Sequence, residues 1–211
     1  MTEATAALAA CAAGYLIGSL PMAAWLARLR GRRIFEVGSG NMGAMNAARN
    51  LGLALGVTVL ALDVAKGAAA TLVGLGLAAR VPNGPLTPVH LAAPLAAGLG
   101  AVIGHGFSLY AGFRGGKGLA TAFGAALPLY APAAVAGGVL LIVLTLALRA
   151  HSGIAAVITV SLYPFLGAVT LLALGAAPGR ALTAGGGIAA VAAVVLLKHY
   201  LAYRRERARA G

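Results

Sequence analysis

Long stretches without charge constrain this chain more than any other feature of its sequence. Six mainly apolar runs follow one another, at about residues 5 to 27, 51 to 79, 89 to 110, 118 to 148, 153 to 175 and 184 to 201. Most are close to the roughly 20 residues that a helix needs to cross a bilayer. Only 9% of the residues are charged, against about 25% in soluble domains. The sequence therefore predicts an all-α integral membrane protein.

The fourth run is too long for one ordinary span and contains two prolines. Pro128 and Pro132 flank Tyr130, and a proline inside a helix removes a hydrogen bond and kinks or breaks the helix. We therefore read two helices here, which makes a bundle of about seven transmembrane helices. The first of the two, over residues 118 to 127, corresponds to only about 15 Å of helix. It is expected to be short, tilted or partly re-entrant.

The basic residues test this number of spans independently. With seven spans, all but three of the 16 Lys and Arg residues fall on one side of the membrane: Arg28, Arg30, Arg32, Arg33, Arg49, Arg114, Lys117, Arg149, Lys198, Arg204, Arg205, Arg207 and Arg209. Only Arg80 and Arg180 fall on the other side, and Lys66 lies within a span. The positive-inside rule then places the N-terminus outside and the C-terminus in the cytoplasm, in a multi-pass protein of the inner membrane.

The same rule accounts for a formal charge of +12, which in a soluble protein would suggest a nucleic-acid partner. No nucleic-acid partner is expected here. We predict a single transmembrane domain over residues 1–203 and a basic cytoplasmic tail over residues 204–211. The one cysteine and four histidines form no recognisable metal-ligand pattern, so neither a metal nor another cofactor is expected.

A glycine-rich polar segment follows the first span. Residues 38 to 52 read Gly-Ser-Gly-Asn-Met-Gly-Ala-Met-Asn-Ala-Ala-Arg-Asn-Leu-Gly. This includes the pattern GxGxxG, but a dinucleotide-binding fold would need a preceding strand rather than a membrane span. Glycine N–H groups can cradle a phosphate, Ser39 and Asn41 add donors, and Asn46, Arg49 and Asn50 would share one helix face. A phosphate site and a glycine-rich interfacial turn with a snorkelling arginine both fit these residue types.

Two opposite charges lie within the second span. Asp63 and Lys66 are three residues apart and can pair along one helix face. Ionisable groups at membrane depth normally face the bundle interior or a water-filled cavity. Either the pair fixes helix packing, or Asp63 holds Lys66 near an anionic substrate. We favour a structural role for Asp63, since carboxylates repel phosphates.

The third polar cluster joins Gly104-His105 to a second glycine-rich segment. Residues 113 to 121 read Phe-Arg-Gly-Gly-Lys-Gly-Leu-Ala-Thr. A Walker A loop is excluded, because Ala111 and Gly118 stand where that motif needs Gly and Ser or Thr. Two cations among glycines immediately before a helix form a credible anion site, and the alternative is a positively charged cytoplasmic turn. His105 is read as a satisfied polar residue, the usual role of a lone histidine.

These clusters, in this order and membrane context, resemble the bacterial acyl-phosphate glycerol-3-phosphate acyltransferase family (PlsY type). The resemblance runs from about Gly14 to His199. It rests on Gly38-Ser39-Gly40-Asn41-x-Gly43, Leu62-Asp63-x-x-Lys66-Gly67 and Phe113-Arg114-Gly115-Gly116-Lys117-Gly118 with their neighbours. It implies a seven-helix membrane bundle with a cytoplasmic active site. It also implies transfer of a fatty acyl group from acyl phosphate to glycerol 3-phosphate, giving lysophosphatidic acid and phosphate in phospholipid synthesis.

Residue chemistry and the resemblance together nominate the site residues. Substrate or phosphate binding is expected of Ser39, Gly40, Asn41, Gly43, Asn46, Arg49, Lys66, Gly115, Gly116, Lys117 and Ser152. The resemblance implies that His199, at the end of the last helix, is a catalytic residue. Acyl phosphate, glycerol 3-phosphate and membrane lipid are the expected partners. Three departures from the family pattern are Met45, in place of a threonine, Ser152-Gly153-Ile154-Ala155, in place of Ser-Leu-x-Ser, and Ala202, in place of an asparagine.

The expected mechanism follows from the acyl phosphate and from the lack of a His-x4-Asp pair, the acid/base dyad of other glycerolipid acyltransferases. An acyl phosphate is a mixed anhydride with a good leaving group, so the protein mainly positions two phosphorylated substrates and neutralises their charge. Either a substrate phosphate or His199 accepts the hydroxyl proton, and grooves between helices hold the acyl chain. A second hypothesis is a non-catalytic phosphate-ester carrier or lipid-binding membrane protein that uses the same cationic pocket.

Overall fold

The computed structural model describes residues 1–82, 91–148 and 152–210, which are largely helical. The helices are α1 (Glu3–Gly18), α2 (Met22–Leu29), α3 (Ala44–Leu51), α4 (Leu53–Ala78), α5 (Ala92–Gly106), α6 (Leu119–Leu148), α7 (Ser152–Ala173) and α8 (Pro178–Ala210). Within these ranges, six segments are long and apolar enough to cross a membrane, and α1 with α2 makes up one of them. The prediction of an all-α membrane protein is confirmed.

Helix α6 is a hairpin rather than one straight helix. The backbone leaves helical geometry at Tyr130, with φ −145° and ψ 52°. The ring of Phe123 lies 3.1 Å from the position that a Cβ atom on Gly138 would occupy. In a straight helix these residues would be about 22 Å apart. The chain therefore reverses between the two prolines, and the first arm, residues 119–129, is short, as the sequence predicted.

The directions of α1, α5 and α8 confirm the number of passages. Contacting positions rise together along these helices: Gly14 with Ala97, Gly18 with Ala101, Leu95 with Gly187, and Gly106 with Lys198. The three helices are therefore parallel. Between α5 and α8 the chain makes three passages, the two arms of α6 and then α7. With α6 as a single passage, α5 and α8 would be antiparallel, so the helices of the described ranges make seven passages. Its orientation relative to the cytoplasm stays a prediction.

Helices α1 and α5 pack backbone against backbone. A Cβ atom on Gly14 or Gly18 of α1, or on Gly100 or Gly104 of α5, would overlap main-chain atoms of the other helix. Small residues four apart allow this close approach in membrane helices. This pairing was not predicted from the sequence. It fixes the ends of α1 and α5, which lie beside the polar residues of the site.

The first span is interrupted between α1 and α2, which the sequence analysis read as one run. Pro21 lacks an N–H group and cannot continue the hydrogen bonds of α1. The carbonyls at the break are bound by other elements: Ser108 Oγ donates to the oxygen of Ser19, and Lys66 Nζ donates to that of Leu20 at 3.0 Å. At the other end of the chain, the described residues of the basic tail continue α8.

Candidate functional site

The segment between α2 and α3 forms the first wall of the site, and Asn46 holds its shape. Asn46 is buried at the start of α3. Its Nδ2 donates to the carbonyls of Val37 and Asn41 at 3.1 and 3.0 Å, and its Oδ1 accepts the N–H of Ser39 at 3.2 Å. Gly40 has φ +64°, a conformation that favours glycine. Asn46 was predicted to bind substrate. In the structure its side chain makes hydrogen bonds to the loop and holds the loop in position.

Residues 112–118, between α5 and α6, form the second wall. The N–H of Gly116 donates to the carbonyl of His105 at 3.1 Å. A Cβ atom on Gly115 or Gly116 would overlap the last turn of α5, so only glycine fits there. Gly118 has φ +89°, and α6 begins at the next residue. Lys117 thus lies beside a helix N-terminus, as the sequence predicted, where the helix dipole favours an anion.

Helix α8 provides the third wall. One of its faces lines the site with Lys198, Leu201, Ala202 and Arg205, which share that face by helical spacing. Lys198 is 7% exposed. Its Nζ donates to the carbonyl of Gly106 at 2.6 Å and lies 4.3 Å from the centre of the Phe107 ring. A neutral carbonyl and an aromatic face therefore hold this cation in place.

The three walls enclose a cleft with an empty volume of about 640 Å³, which includes space open to solvent. Its lining includes four cationic residues, namely Arg114, Lys117, Lys198 and Arg205. Among the residues that the structure describes, the lining contains neither a carboxylate nor a histidine. Such a one-signed lining attracts anions, and glycine N–H groups with Ser39 and Asn41 add hydrogen-bond donors.

The structure brings six of the predicted site residues together in this cleft: Ser39, Gly40, Asn41, Gly115, Gly116 and Lys117. Gly43 precedes α3 and does not line the cleft, and Arg49 is exposed on α3 outside the lining. The side chain of Ser152 lies outside the described residues, as does Arg149. Lys198 and Arg205 also line the cleft and were not predicted to do so. Their spacing of seven residues, two helical turns, was the available signal.

His199 lies at the same end of α8, but its ring does not line the cleft. It is 8% exposed, and its Nδ1 is 2.9 Å from the carbonyl of Val195. A carbonyl oxygen only accepts hydrogen bonds, so this contact assigns the proton to Nδ1 and leaves Nε2 as the acceptor. The catalytic role of His199 stays a prediction.

A second group of charges lies inside the bundle. Asp63 Oδ1 is 2.8 Å from Lys66 Nζ and 3.4 Å from His105 Nδ1. These side chains are at most 3% exposed. The predicted ion pair within the second span is confirmed. Lys66 Nζ pairs with Asp63 and donates to the Leu20 carbonyl, and Lys66 does not line the cleft.

An apolar pocket lies deeper in the bundle between α5, α6, α7 and α8. Its empty volume is about 370 Å³, and its lining includes Leu95, Tyr130, Tyr163 and Val191. Val191 precedes Lys198 by two turns of α8, so the pocket lies about 10 Å farther along the helix than the cleft. A cationic cleft above an apolar pocket matches an amphiphilic ligand with an anionic head.

The fold and the cleft define an integral membrane protein with a cationic cleft at one end of its helical bundle. A family model for glycerol-3-phosphate acyltransferase matches residues 8–209. The chain belongs to the glycerol-3-phosphate acyltransferase family.

Relatives and solved structures agree with this membership. The chain is 46% identical over 118 residues to glycerol-3-phosphate acyltransferase 1 of Deinococcus radiodurans, covering 56% of this chain and 54% of the relative. It is 41% identical over 159 residues to the Rhodospirillum rubrum glycerol-3-phosphate acyltransferase, covering 74% and 72%. The match thus spans about half the length of the first relative.

Crystal structures of PlsY (YgiH), an integral membrane glycerol 3-phosphate acyltransferase, have the same fold. The glycerol 3-phosphate form superposes with a TM-score of 0.74 at 27% identity, covering 96% of this chain and 92% of that one. The lysophosphatidic acid form gives the same values. The seven-passage bundle is therefore the fold of a membrane acyltransferase.

Proposed function

We propose that this protein transfers a fatty acyl group from acyl phosphate to glycerol 3-phosphate, releasing lysophosphatidic acid and inorganic phosphate. The observation that carries the proposal is the cleft, whose described lining has four cations and no carboxylate. Both substrates present phosphate groups, which such a lining attracts. The named relatives and the two PlsY forms support glycerol 3-phosphate as the acceptor.

The chemical step needs positioning more than a strong protein base. The hydroxyl oxygen of glycerol 3-phosphate attacks the carbonyl carbon of the acyl phosphate, and the bond from that carbon to the phosphate oxygen breaks. Because no carboxylate or histidine lines the described cleft, we assign the hydroxyl proton to a phosphate oxygen of the substrates. His199, just outside the lining, is the alternative acceptor.

The cleft residues take distinct roles in this proposal. Lys117 and Lys198, from different walls, neutralise the two phosphates and the charge that develops on the attacked carbonyl. Ser39 and Asn41 orient the substrates with the glycine N–H groups. Arg49, exposed on the helix that follows this loop, is assigned a phosphate on the family resemblance.

The two substrates reach the cleft from different environments, the membrane and water. We place the acyl chain in the apolar pocket of Leu95, Tyr130 and Val191, where apolar surface leaves water. Glycerol 3-phosphate is water-soluble, so the cleft must open to an aqueous compartment. By the positive-inside rule that compartment is the cytoplasm, and we place the protein in the inner membrane.

The direct test uses purified protein in detergent with acyl phosphate and labelled glycerol 3-phosphate. We expect labelled lysophosphatidic acid, and near-complete loss of it in Lys117→Ala and in Arg49→Ala. Arg30→Ala is the matched control, since Arg30 is exposed at the end of α2 and outside the cleft lining. A second arm replaces acyl phosphate by an acyl thioester to identify the donor. Full activity in both site variants would refute the site, and binding without turnover would support a carrier instead.

A further inference from the structure

A buried cluster on α4 and α5 contains an ion pair, Asp63 with Lys66, and a third titratable residue, His105. Asp63 and Lys66 already balance each other at 2.8 Å, and Lys66 also donates to the Leu20 carbonyl at 3.0 Å. His105 adds a third group, with Nδ1 3.4 Å from the same carboxylate oxygen. Burying an additional polar ring in a membrane bundle is costly unless it has a partner. The position of His105 suggests what it does.

The second wall of the cleft, residues 112–118, packs against His105. Its carbonyl accepts the N–H of Gly116 at 3.1 Å. Its ring touches the same residue from the side, since a Cβ atom on Gly116 would overlap Nε2. Gly115 packs against the His105 carbonyl in the same way. One residue of α5 therefore fixes the path of the two glycines that precede Lys117.

We propose that Asp63 and His105 are positioning residues for the phosphate-binding wall of the cleft. The Asp63 carboxylate lies 3.4 Å from Nδ1, outside hydrogen-bond geometry but close enough to attract that side of the ring. The ring held in this way sets the course of Gly115 and Gly116 and thereby the place of Lys117. An imidazole turns readily about its terminal torsion, and a carboxylate beside one ring nitrogen favours the orientation and the tautomer that direct an N–H group toward it. Neither residue touches a substrate, so their effect reaches the cleft through the loop.

The test removes the carboxylate without leaving a bare charge. Asp63→Asn alone would leave Lys66 buried without an anion, which is strongly destabilising. The double variant Asp63→Asn with Lys66→Met removes both charges. We expect its KM for glycerol 3-phosphate and its Kd for inorganic phosphate to rise about tenfold, because small displacements of a binding group weaken binding by such factors. The value of kcat should fall less than KM rises.

Thr71→Val is the matched control for a purely structural effect. Thr71 is on the same helix, fully buried, and donates to the carbonyl of Ala125 at 2.9 Å, away from His105 and the loop. This variant should lower the Tm in detergent without raising KM. His105→Gln should raise KM as the double variant does, and combining the two should add little, since both act through one ring.

Three results would overturn the proposal: a wild-type KM and phosphate Kd in the double variant, an equal rise in Thr71→Val, or fully additive effects with His105→Gln. The KM readout rests on the proposed function, whereas phosphate binding does not. If the wild-type protein binds phosphate but makes no lysophosphatidic acid, the proposed function fails. The comparison of phosphate Kd values then still decides the positioning role.

Discussion

Two groups of charged residues in this protein lie close together and have opposite surroundings. Inside the bundle, the Asp63 carboxylate has Lys66 at 2.8 Å and His105 at 3.4 Å. In the cleft, Lys198 is held by the Gly106 carbonyl and the Phe107 ring, and Arg114 lies 4.0 Å from the centre of the Phe35 ring. Neutral groups hold these cleft cations in place, so their charge is not cancelled by a carboxylate of the described cleft lining.

This difference separates charges that hold the fold from charges that bind. A buried charge with its partner is costly to disturb, because removing one member leaves the other unpaired. A cation held by neutral groups at the edge of a cleft keeps its attraction for an incoming anion. We therefore expect changes in the interior to alter stability first, and changes in the cleft to alter substrate binding and turnover.

The largest effect is expected from Asp63→Asn in the interior. It leaves the buried Lys66 charge without an anionic partner, which costs about 3–5 kcal/mol of unfolding free energy. The Tm in detergent, measured by intrinsic fluorescence, should fall sharply, and adding Lys66→Met should restore most of it. A Tm equal to that of the wild type in the single variant would show that the interior pair does not hold the fold.

Next in size is Lys117→Met in the cleft. Removing a donor at the reacting centre costs about 3–4 kcal/mol of transition-state stabilisation, or a 10²–10³-fold fall in kcat/KM. The Tm should stay at the wild-type value or rise slightly, because like charges in the cleft are relieved. A large loss of stability in this variant would contradict the division between the two groups.

Asn46→Ala should affect both properties, since Asn46 joins the fold to the cleft. It removes the bonds to Ser39, Val37 and Asn41 and leaves buried polar groups unsatisfied, at a cost of about 2 kcal/mol. We expect a lower Tm and a higher KM for glycerol 3-phosphate. Asn50→Ala is the matched control, because within the described part of the chain the Asn50 side chain donates to Asn46 and not to the loop. Equal effects in the two variants would argue against a positioning role for Asn46.

The smallest effect is expected from Lys198→Met. We predict an increase of about tenfold in KM, equivalent to ~1.4 kcal/mol, with a smaller change in kcat. Steady-state kinetics with varied glycerol 3-phosphate measure it. Arg204→Met on the same helix is the control, since Arg204 is exposed and does not line the cleft. Similar kinetics in both variants would remove Lys198 from the binding site.

Much of the fold could be predicted because single residues carry strong local signals. Pro128 and Pro132 placed the reversal at Tyr130, and the distribution of basic residues required an odd number of passages. The break at Pro21 was not predicted, because one proline in an apolar run does not show whether a helix kinks or ends. The α1–α5 contact was not predicted, because pairing Gly14 with Ala97 requires knowing which helices are neighbours.

The site was predictable only in part, for a similar reason. Glycines beside polar residues marked Ser39 to Asn41 and Gly115 to Lys117 as the two loops of the cleft. Local sequence does not tell which face of α8 turns inward, so Lys198 and Arg205 were missed. The sequence around a lone histidine does not show which residues its side chain will contact. The contacts of His105 with Asp63 and Gly116 could therefore be seen only in the structure.

The most direct test of the central claim follows both products of one reaction. Purified protein is supplied with acyl phosphate and glycerol 3-phosphate, and lysophosphatidic acid and inorganic phosphate are quantified together. We predict that the two products form in equal amounts and that Lys117→Met stops both without lowering the Tm. Binding of glycerol 3-phosphate without either product, or equal turnover in Lys117→Met, would contradict it.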